Sequence, residues 1–432
     1  MIEMIQASIE RCAGIDVGKK MLAVCMMVGP IQGEPRVEIR PFGTHRGELE
    51  RLREWLKQEQ ITDVVMESTG SYWKPVYNVL EGDVKVLLAN PHEVKNRRGH
   101  KTDNKDGWWL AHLLRHAMIH PSFIPPRSVR ELRDLTRRRK KMVGAATAER
   151  NRIQKVLEDA NVKLGNVLSD LFGVSGQKML AALLEGTATP VEIADLATGQ
   201  LKGKITAIWE ALDGHQMSDH HRLMIRFSVR HLQFLEQQIA ELDKAIVEKI
   251  EAAKLKDSCE LLRTIPGIQQ TSAASIIAET GNDMSQFPTE GQFSSWAGLC
   301  PGNNRSAGRS KSSHTTHGNP WLRSAMTECA WAAASKNHCF LKEKFWKLVT
   351  KKDGKKAPAV IAVAHTLLQF VYRVVGSGRP YEERGAPPME EKQKQRLIRH
   401  HLRRLGKLGI AVSSARPENS TKPRARNCRT HR

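Results

Sequence analysis

Four acidic residues in the first quarter of the chain are spaced so that they could form one metal site. Asp16 ends the first predicted strand, and Glu67 ends a later apolar strand in the sequence VVMESTG. Asp103 and Asp106 open a predicted helix three positions apart, which places both on one helix face. Strand ends and a helix N-terminus can meet at one sheet edge, where clustered carboxylates need cations between them. All-oxygen ligands favour Mg²⁺, with Mn²⁺ as the alternative ion, and two such ions could clamp a phosphate.

Each acidic residue alone has a simpler explanation. An aspartate after a strand is commonly a turn residue, and Asp103 could serve only as a helix cap. The joint pattern of all four, rather than any single residue, therefore predicts the site.

Basic residues surround the last two carboxylates and recur in a later helix. A run of cations near a carboxylate site is suited to holding a phosphate backbone, although a solvated loop is the simpler alternative for any one of them. The predicted phosphate-binding residues are Lys95, Arg97, Arg98, Lys101 and Lys105, followed by Arg137, Arg138, Arg139 and Lys140.

A second region with possible chemistry spans residues 293–326. Its segment PGNNRSAGRSK is predicted to be a loop, within a longer loop over residues 298–320. Arg305, Arg309 and Lys311 lie in this loop, so a serine held there would have cations nearby to stabilise a developing phosphate charge. An H-x-x-H pair follows without a partnered cysteine, which makes a zinc site a weak hypothesis.

Two further segments suggest contact with a phosphate backbone. Residues 261–279 form an apolar helix, a Pro-Gly turn and a second helix, similar to a helix-hairpin-helix element. Backbone amides around Gly267 and Thr271 could bind phosphate, although an ordinary helical corner is the alternative. Arg323, at the start of a later helix, is a further candidate.

Composition narrows the class of protein. The chain has 432 residues, too many for one ordinary core, and a net charge of +22, which favours a polyanionic partner such as nucleic acid. It has no run of about 18 apolar residues and no secretory signal, so we expect no membrane association. The seven scattered cysteines favour a reduced, cytoplasmic protein without a disulfide framework.

The periodicity of the sequence predicts four regions. Residues 1–120 alternate strands and helices, giving an α/β sandwich with a mixed sheet. Residues 121–258 are helical, and within them Ile225, Leu232, Ile239 and Ile246 repeat every seven positions. This repeat is typical of a coiled coil or an antiparallel helical arm, or of a helix packed on its own domain. Residues 259–378 form a helix-rich unit, and residues 379–432 a basic tail, predicted to be largely disordered with a helix possible over 390–406.

The acidic pattern and five sequence blocks carry a resemblance to a known family. A D, E, D, D quartet on this order of elements resembles the RNase H-like fold of RuvC-type nucleases. The blocks GIDVGKK, MESTGSYWKPV, KTDNKD, the IPGI segment with TSA, and WAGL with PGNN and SAG before GNPWLR occur in this order from residue 12 to 378. Together they resemble the DEDD transposases of the bacterial insertion-sequence family one-ten, bridge-RNA-guided recombinases.

The resemblance implies a specific activity. Asp16, Glu67, Asp103 and Asp106 would be the metal-binding quartet, and Ser306 the nucleophile that forms a phosphoserine link with DNA. It implies a RuvC-like domain, a mainly α-helical coiled-coil region and a helix-rich transposase domain. The implied partners are donor and target DNA, a bridge RNA and further copies of the chain in a tetramer, a dimer of dimers. The protein would associate with the nucleoid when bound to DNA.

Two other functions are compatible with the same residues. A metal-only nuclease of the Holliday-junction resolvase type would use the quartet with water as the nucleophile and leave no protein–DNA adduct. A nucleic-acid-binding scaffold would need no chemistry, but the chain retains all four acidic residues, which argues against it.

Overall fold

The computed structural model describes residues 7–67, 70–89, 94, 103–119, 122–301, 304–306, 309–312 and 314–383, with a few positions between 395 and 405. For residues 103–105, 304–306 and 309–312 it describes the backbone alone. The chain divides into two compact units. The first comprises Met1–Cys259 with Ala273–Phe293, and the second comprises Glu260–Ser272 with Ser294–Arg432.

A five-stranded mixed sheet forms the N-terminal part of the first unit. Its order is β3-β2-β1-β4-β5; the pairs β1–β2 and β2–β3 are antiparallel, and β1–β4 and β4–β5 are parallel. The strands are β1 (Arg11–Val17), β2 (Met21–Val28), β3 (Arg36–Gly43), β4 (Asp63–Glu67) and β5 (Lys85–Ala89). This arrangement confirms the predicted α/β fold with a mixed sheet.

Helices cover both faces of the sheet, because strand residues alternate between two cores. Ala13 and Ile15 of β1 pack in the same core as buried residues of α1 and α2. Cys12 packs in a second core with Leu110 and Leu114 of α3. These helices are α1 (Arg46–Gln58), α2 (Trp73–Leu80) and α3 (Asp103–Arg115). The result is a three-layer sandwich. Among the described helices, only α3 covers the face of the sheet opposite α1 and α2.

Two long helices form an antiparallel arm in the first unit, α4 (Arg127–Asp159) and α9 (Asp219–Ala252). Contacts along their length follow the antiparallel register. Three are ion pairs, Glu131–Lys249, Arg139–Asp243 and Arg150–Glu236, and a fourth is a hydrogen bond between His221 and Asp159. The predicted heptad seam of α9, including buried Ile225 and Leu232, packs on α4 residues such as Ile153. The seven-residue repeat therefore serves pairing within this chain.

Short helices join the two helices of the arm and extend its hydrophobic core. They are α5 (Leu164–Val167), α6 (Val174–Glu185), α7 (Pro190–Asp195), a 3-10 helix (Gly199–Lys204) and α8 (Ile205–Glu210). The chain after the arm forms α10 (Lys256–Arg263), α11 (Gln270–Thr280), a 3-10 turn (Met284–Gln286) and α12 (Glu290–Trp296).

The second unit contains a small hairpin and three helices. The hairpin strands are β6 (Asn304–Ser306) and β7 (Arg309–Ser312), and the helices are α13 (Pro320–Ser335), α14 (Phe340–Lys351) and α15 (Lys356–Ser377). The prediction that residues 298–320 form only a loop was wrong in this part. Glycine and serine lower strand propensity, but antiparallel pairing across a short connection overrides it.

Helix α15 is long and apolar enough to cross a membrane by length and composition, which the sequence analysis did not anticipate. Half of its most apolar window is buried inside the protein. Val363, Leu367 and Val371 are fully buried, as in the core helix of a globular domain.

The beginning of the basic tail is part of the second unit. The Tyr381 amide donates a hydrogen bond to Thr264 Oγ1 at 2.8 Å, and Glu383 Oε1 accepts one from the Phe340 amide at 2.9 Å. The described positions between 395 and 405 are helical, and most of the tail lies outside the described residues.

Candidate active site

Two of the four predicted carboxylates lie at adjacent positions on neighbouring strands. Strands β1 and β4 are parallel, and their register pairs Ile15 with Met66. One position further along each strand are Asp16 and Glu67, both partly exposed. The carboxyl ends of the two strands therefore bring these residues to the same edge of the sheet.

The third carboxylate reaches this edge because α3 packs unusually close to the sheet. A Cβ atom on Gly14 would lie 2.3 Å from the Ala111 backbone nitrogen and from the Gly107 carbonyl oxygen. A Cβ atom on Gly107 would lie 2.8 Å from the carbonyl oxygen of Ala23, the register partner of Asp16. The exposed Asp106 immediately precedes Gly107, so its backbone lies beside the strand pair that carries Asp16.

The other end of α3 is fixed by the buried side chain of Arg115. Its guanidinium donates hydrogen bonds to the backbone carbonyls of Ile9, Glu10, Gly29, Pro30 and Gly33. These carbonyls flank β1 and β2, so the helix is anchored to the strands at both ends. This anchoring fixes α3, and with it the backbone of Asp106, against the strands.

The donor chemistry at this edge fits a hard divalent cation, because every candidate ligand is a carboxylate. Asp103 is the first residue of α3, but its side chain lies outside the described part of the structure. Among the side chains that are described, no group of three or more His, Cys, Asp or Glu residues is arranged to hold a metal ion. Asp16, Glu67 and Asp106 are thus brought to one edge without closing a coordination shell by themselves.

The predicted phosphate-binding cations have different surroundings. Lys95, Arg97, Arg98 and Lys101 fall outside the described residues, and of Lys105 only the backbone is described. In the second run, Arg138 and Lys140 are exposed. Arg137 and Arg139 instead form two-point ion pairs within the unit, which the sequence did not indicate because their partners lie more than 100 positions away. The partners are Glu279, at 2.7 and 2.8 Å from Arg137, and Asp243, at 2.5 and 3.1 Å from Arg139.

In the second unit, the turn that precedes α11 is fastened to α13. Gly267 has a φ angle of +87°, and a Cβ atom there would lie 2.4 Å from the Cys329 carbonyl oxygen. The Ser272 hydroxyl accepts a hydrogen bond from the Gln269 amide at 2.8 Å. Gly267 therefore has a packing role that explains its presence. Thr271 is exposed.

Ser306 is the last residue of β6 and pairs with Arg309 of β7. The base of the hairpin is closed by a bridge between Pro301 and Thr315 and by a hydrogen bond from the Thr316 amide to the Cys300 carbonyl at 3.0 Å. Ser306 thus lies at the tip of a hydrogen-bonded hairpin. The side chains of Arg305, Arg309 and Lys311 are not among those described.

Beyond the hairpin, α13 begins at a capped N-terminus. The Asn319 side chain accepts hydrogen bonds from the Trp321 amide at 3.0 Å and the Leu322 amide at 3.2 Å. Arg323, a predicted phosphate-binding residue, is partly exposed in the first turn of this helix.

Gly14 and Gly107 are residues beside the candidate site that the sequence patterns did not bring out. A glycine inside an otherwise apolar strand signals close approach by another backbone, and Gly14 in RCAGIDV carries that signal. Gly107 follows directly after Asp106, but its contact with Gly14 can be recognised only once helix α3 is packed on strand β1.

The order β3-β2-β1-β4-β5, with acidic residues at the ends of β1 and β4 and in the first turn of α3, defines an RNase H-like domain of the RuvC type. Two family models match the chain. A DEDD model of IS110 elements, described as a transposase, matches residues 13–162, and a model described as "Transposase IS116/IS110/IS902 family" matches residues 259–344. Together they cover more than half of the chain, which belongs to the IS110 family of transposases.

Individual proteins are similar to parts of the chain. The "Pilin gene-inverting protein" of Moraxella bovis is 29% identical over 160 residues, which cover 36% of this chain and 48% of that protein. The "Probable family 20 transposase" of Pseudomonas aeruginosa is 26% identical over 306 residues, 67% of this chain and 79% of that protein. The chain therefore matches only about half the length of the Moraxella relative. The solved structure of Thermus thermophilus RuvC is 16% identical, with a TM-score of 0.21, and the match covers 26% of this chain and 99% of that one.

Proposed function

We propose that this protein is a DNA recombinase that cuts and rejoins the ends of an insertion sequence. The observation that carries the proposal is the placement of Asp16, Glu67 and the backbone of Asp106 at the same edge of an RNase H-like sheet, in a chain of the IS110 family. The net charge of +22 supports DNA as the substrate.

Asp16, Glu67, Asp103 and Asp106 would hold Mg²⁺ or Mn²⁺. When bound, such ions stabilise the charge that develops on a phosphate during displacement. The close packing of Gly14 against Gly107 would keep Asp106 of α3 near Asp16 and Glu67 of the sheet. The protein's own contribution at this edge is therefore the fixed spacing of its acidic side chains.

Ser306 is proposed as the nucleophile. Its Oγ would form a bond to a DNA phosphorus while one P–O bond to a deoxyribose breaks, and the serine proton would leave to solvent or a base. The released sugar hydroxyl, or that of another strand, would then attack the same phosphorus and displace Oγ. One phosphodiester is lost and one regained, so no external energy source is required. The pairing of Ser306 with Arg309 and the bridged base of the hairpin support this role, because a nucleophile on a restrained backbone loses less entropy when it reacts.

The finer parts of the proposal come from the family resemblance. They are guidance by a bridge RNA that pairs with donor and target DNA, assembly as a tetramer, and a cytoplasmic location. The alternative, a metal-only nuclease, uses the same carboxylates. The name of the Moraxella relative, a gene-inverting protein, favours rejoining over cutting alone, since inversion requires both.

The proposal is tested by trapping the covalent link. The protein is mixed with Mg²⁺, RNA transcribed from the flank of the element, and a nicked DNA that cannot be rejoined, and then analysed by denaturing gel and peptide mass spectrometry. Ser306→Ala is compared with Ser310→Ala, a serine of β7 in the same hairpin. We expect an adduct on Ser306 in the wild type and in Ser310→Ala, and none in Ser306→Ala.

Cleavage of DNA without any adduct would instead establish the metal-only nuclease. An adduct that persists in Ser306→Ala and disappears in Ser310→Ala would move the nucleophile to β7. Both variants should bind the RNA and DNA as the wild type does, because a reacting hydroxyl contributes little to ground-state binding.

A further inference from the structure

A patch of two tryptophans and five lysines lies on one side of the second unit, away from the hairpin strands in sequence. It is called the basic–aromatic patch here. Its residues are Trp331 of α13, Trp346, Lys347 and Lys351 of α14, and Lys352, Lys355 and Lys356 of the turn into α15.

The two tryptophans are exposed although they adjoin the core. Trp346 is 48% exposed and Trp331 is 41% exposed. Their ring centroids lie 5.3 and 5.5 Å from that of the buried Phe345, which holds both indoles in place. Large flat rings that are both fixed and open to solvent have surface available for stacking.

The outward face of α14 carries charge beside these rings. Trp346, Lys347, Thr350 and Lys351 recur at the i, i+1, i+4 and i+5 positions of one exposed face, while Phe345 and Val349 are buried. Lys352, Lys355 and Lys356 extend the charge into the next turn, and all are exposed.

None of the five lysines of the patch has a carboxylate partner among the residues that the structure describes. Helix α1 is a useful contrast, since it is equally rich in charge. There, Arg46, Arg51 and Arg53 each pair with a glutamate of the same helix, and Lys57 pairs with Asp83. A surface helix that only needs solubility balances its charges in this way. Residues 340–356 instead carry seven lysines against two exposed acidic residues, Glu343 and Asp353, which leaves a clear excess of positive charge.

The start of α15 adds to the positive potential. Its N-cap, Lys355, makes no side-chain capping bond, and the first turn contains no acidic residue. The helix dipole therefore places partial positive charge beside Lys355 and Lys356.

We propose that the basic–aromatic patch binds an unpaired segment of nucleic acid. The lysines would contact consecutive phosphates, and an unstacked base would lie on the Trp346 indole. Aromatic rings among cations are the combination that binds single strands, because stacking requires a base that is free of its partner. The choice of nucleic acid rests on the proposed function. An anionic membrane surface could also attract tryptophan and lysine, and the test includes it.

The experiment measures binding without catalysis. Full-length protein in EDTA is titrated into fluorescein-labelled single-stranded DNA, RNA of the same sequence, the same DNA strand without bases, and a DNA duplex, followed by anisotropy. The readout is the Kd for the base-free strand divided by the Kd for the complete strand. Trp346→Ala is expected to lower this ratio about fivefold or more, since one stack is lost.

Matched variants separate stacking from folding and from charge. Trp346→Phe keeps an aromatic ring and should retain most of the ratio. Trp209→Ala, which removes a tryptophan that is 38% exposed in α8, should leave it unchanged. Lys347→Gln combined with Lys351→Gln should reduce the slope of log K against log salt by about 1.4 on single strands. If Trp346→Ala weakens binding of the RNA strand more than binding of the DNA strand, the bound segment is RNA. The opposite result would identify it as DNA.

Three results would overturn the inference. One is an unchanged ratio in Trp346→Ala. Another is a Trp346→Ala variant that binds duplex and single-stranded DNA equally more weakly than the wild type, which would mean phosphate contact without stacking. The third is unchanged oligonucleotide binding together with lost co-sedimentation on vesicles of phosphatidylserine and phosphatidylcholine. Because no cutting is measured, failure of the Ser306 adduct assay would leave this result interpretable.

Discussion

The ion-pair cluster around Glu279 gives the sharpest test of the fold. The Glu279 side chain is 3% exposed and pairs with Arg137 at 2.7 Å and with Arg133 at 3.5 Å. Arg133 also donates to the Ala278 and Glu279 carbonyls, and burial lowers its pKa to about 10. Glu279 is therefore the counter-charge for a guanidinium held out of water.

Glu279→Gln keeps the shape and one acceptor oxygen but removes the charge. Breaking a buried pair by neutralising one partner costs about 3–5 kcal/mol, because the other charge stays buried. For a domain of more than 200 residues, about 2 °C of Tm is lost per kcal/mol, which gives a loss of about 6–10 °C.

Asp243→Asn is the matched control. Asp243 also pairs with an arginine of α4, Arg139, but its side chain is 44% exposed. Exposed pairs contribute about 0–1 kcal/mol, so this variant should lose about 2 °C or less. Both variants are measured by scanning calorimetry and by urea unfolding of the full chain. Equal Tm losses in the two variants would refute the reasoning that burial, rather than pairing geometry, sets the cost.

Three further outcomes are expected. Asp106→Asn should abolish DNA cutting in Mg²⁺ while changing the Kd for DNA by less than about twofold, and undiminished cutting over a range of Mg²⁺ concentrations would contradict the metal assignment. Gly14→Ala should lose about 1–3 kcal/mol of stability and most of the cutting, because its Cβ would meet α3 at 2.3 Å, whereas Gly47→Ala, where no atom lies within 4 Å, should lose neither. Burial raises the pKa of Cys12 to about 12, so this thiol should react with iodoacetamide at about pH 8 only after unfolding. Labelling of Cys12 itself in the native protein, mapped by peptide mass spectrometry, would contradict its burial.

Much of the first unit could be predicted because its local signals agree with its tertiary structure. The alternation of strands and helices predicted over residues 1–120 is the order found in the sandwich, since Gly18 and the polar residues around Asp83 mark turns between its elements. The heptad repeat of α9 indicated a helix with one apolar seam, and in the structure that seam packs on α4. The repeat could not identify α4 of the same chain as the partner. A heptad pattern shows which face of a helix is apolar, but it does not show which helix packs against that face.

The rest depended on contacts between distant positions. Arg137 appeared to be a phosphate-binding residue because Glu279 lies 142 positions away and gives no local signal. The hairpin of β6 and β7 was missed because glycine and serine are typical of loops, and its stability comes from pairing across the turn. The candidate site was predicted as a set of residue types, whereas the glycine contacts that hold it together became visible only in the fold.

The arm of α4 and α9 has a consequence for spacing. At about 1.5 Å of rise per residue, the 33 residues of α4 span about 50 Å. The apolar seam between α4 and α9 and the ion pairs beside it hold the two helices together as one rod. Adding seven residues to both helices at matching positions would keep the seam in phase and lengthen the rod by about 10 Å. The length of the arm is therefore counted in helical turns, and the pairing of its two helices is preserved only when that length changes by whole repeats.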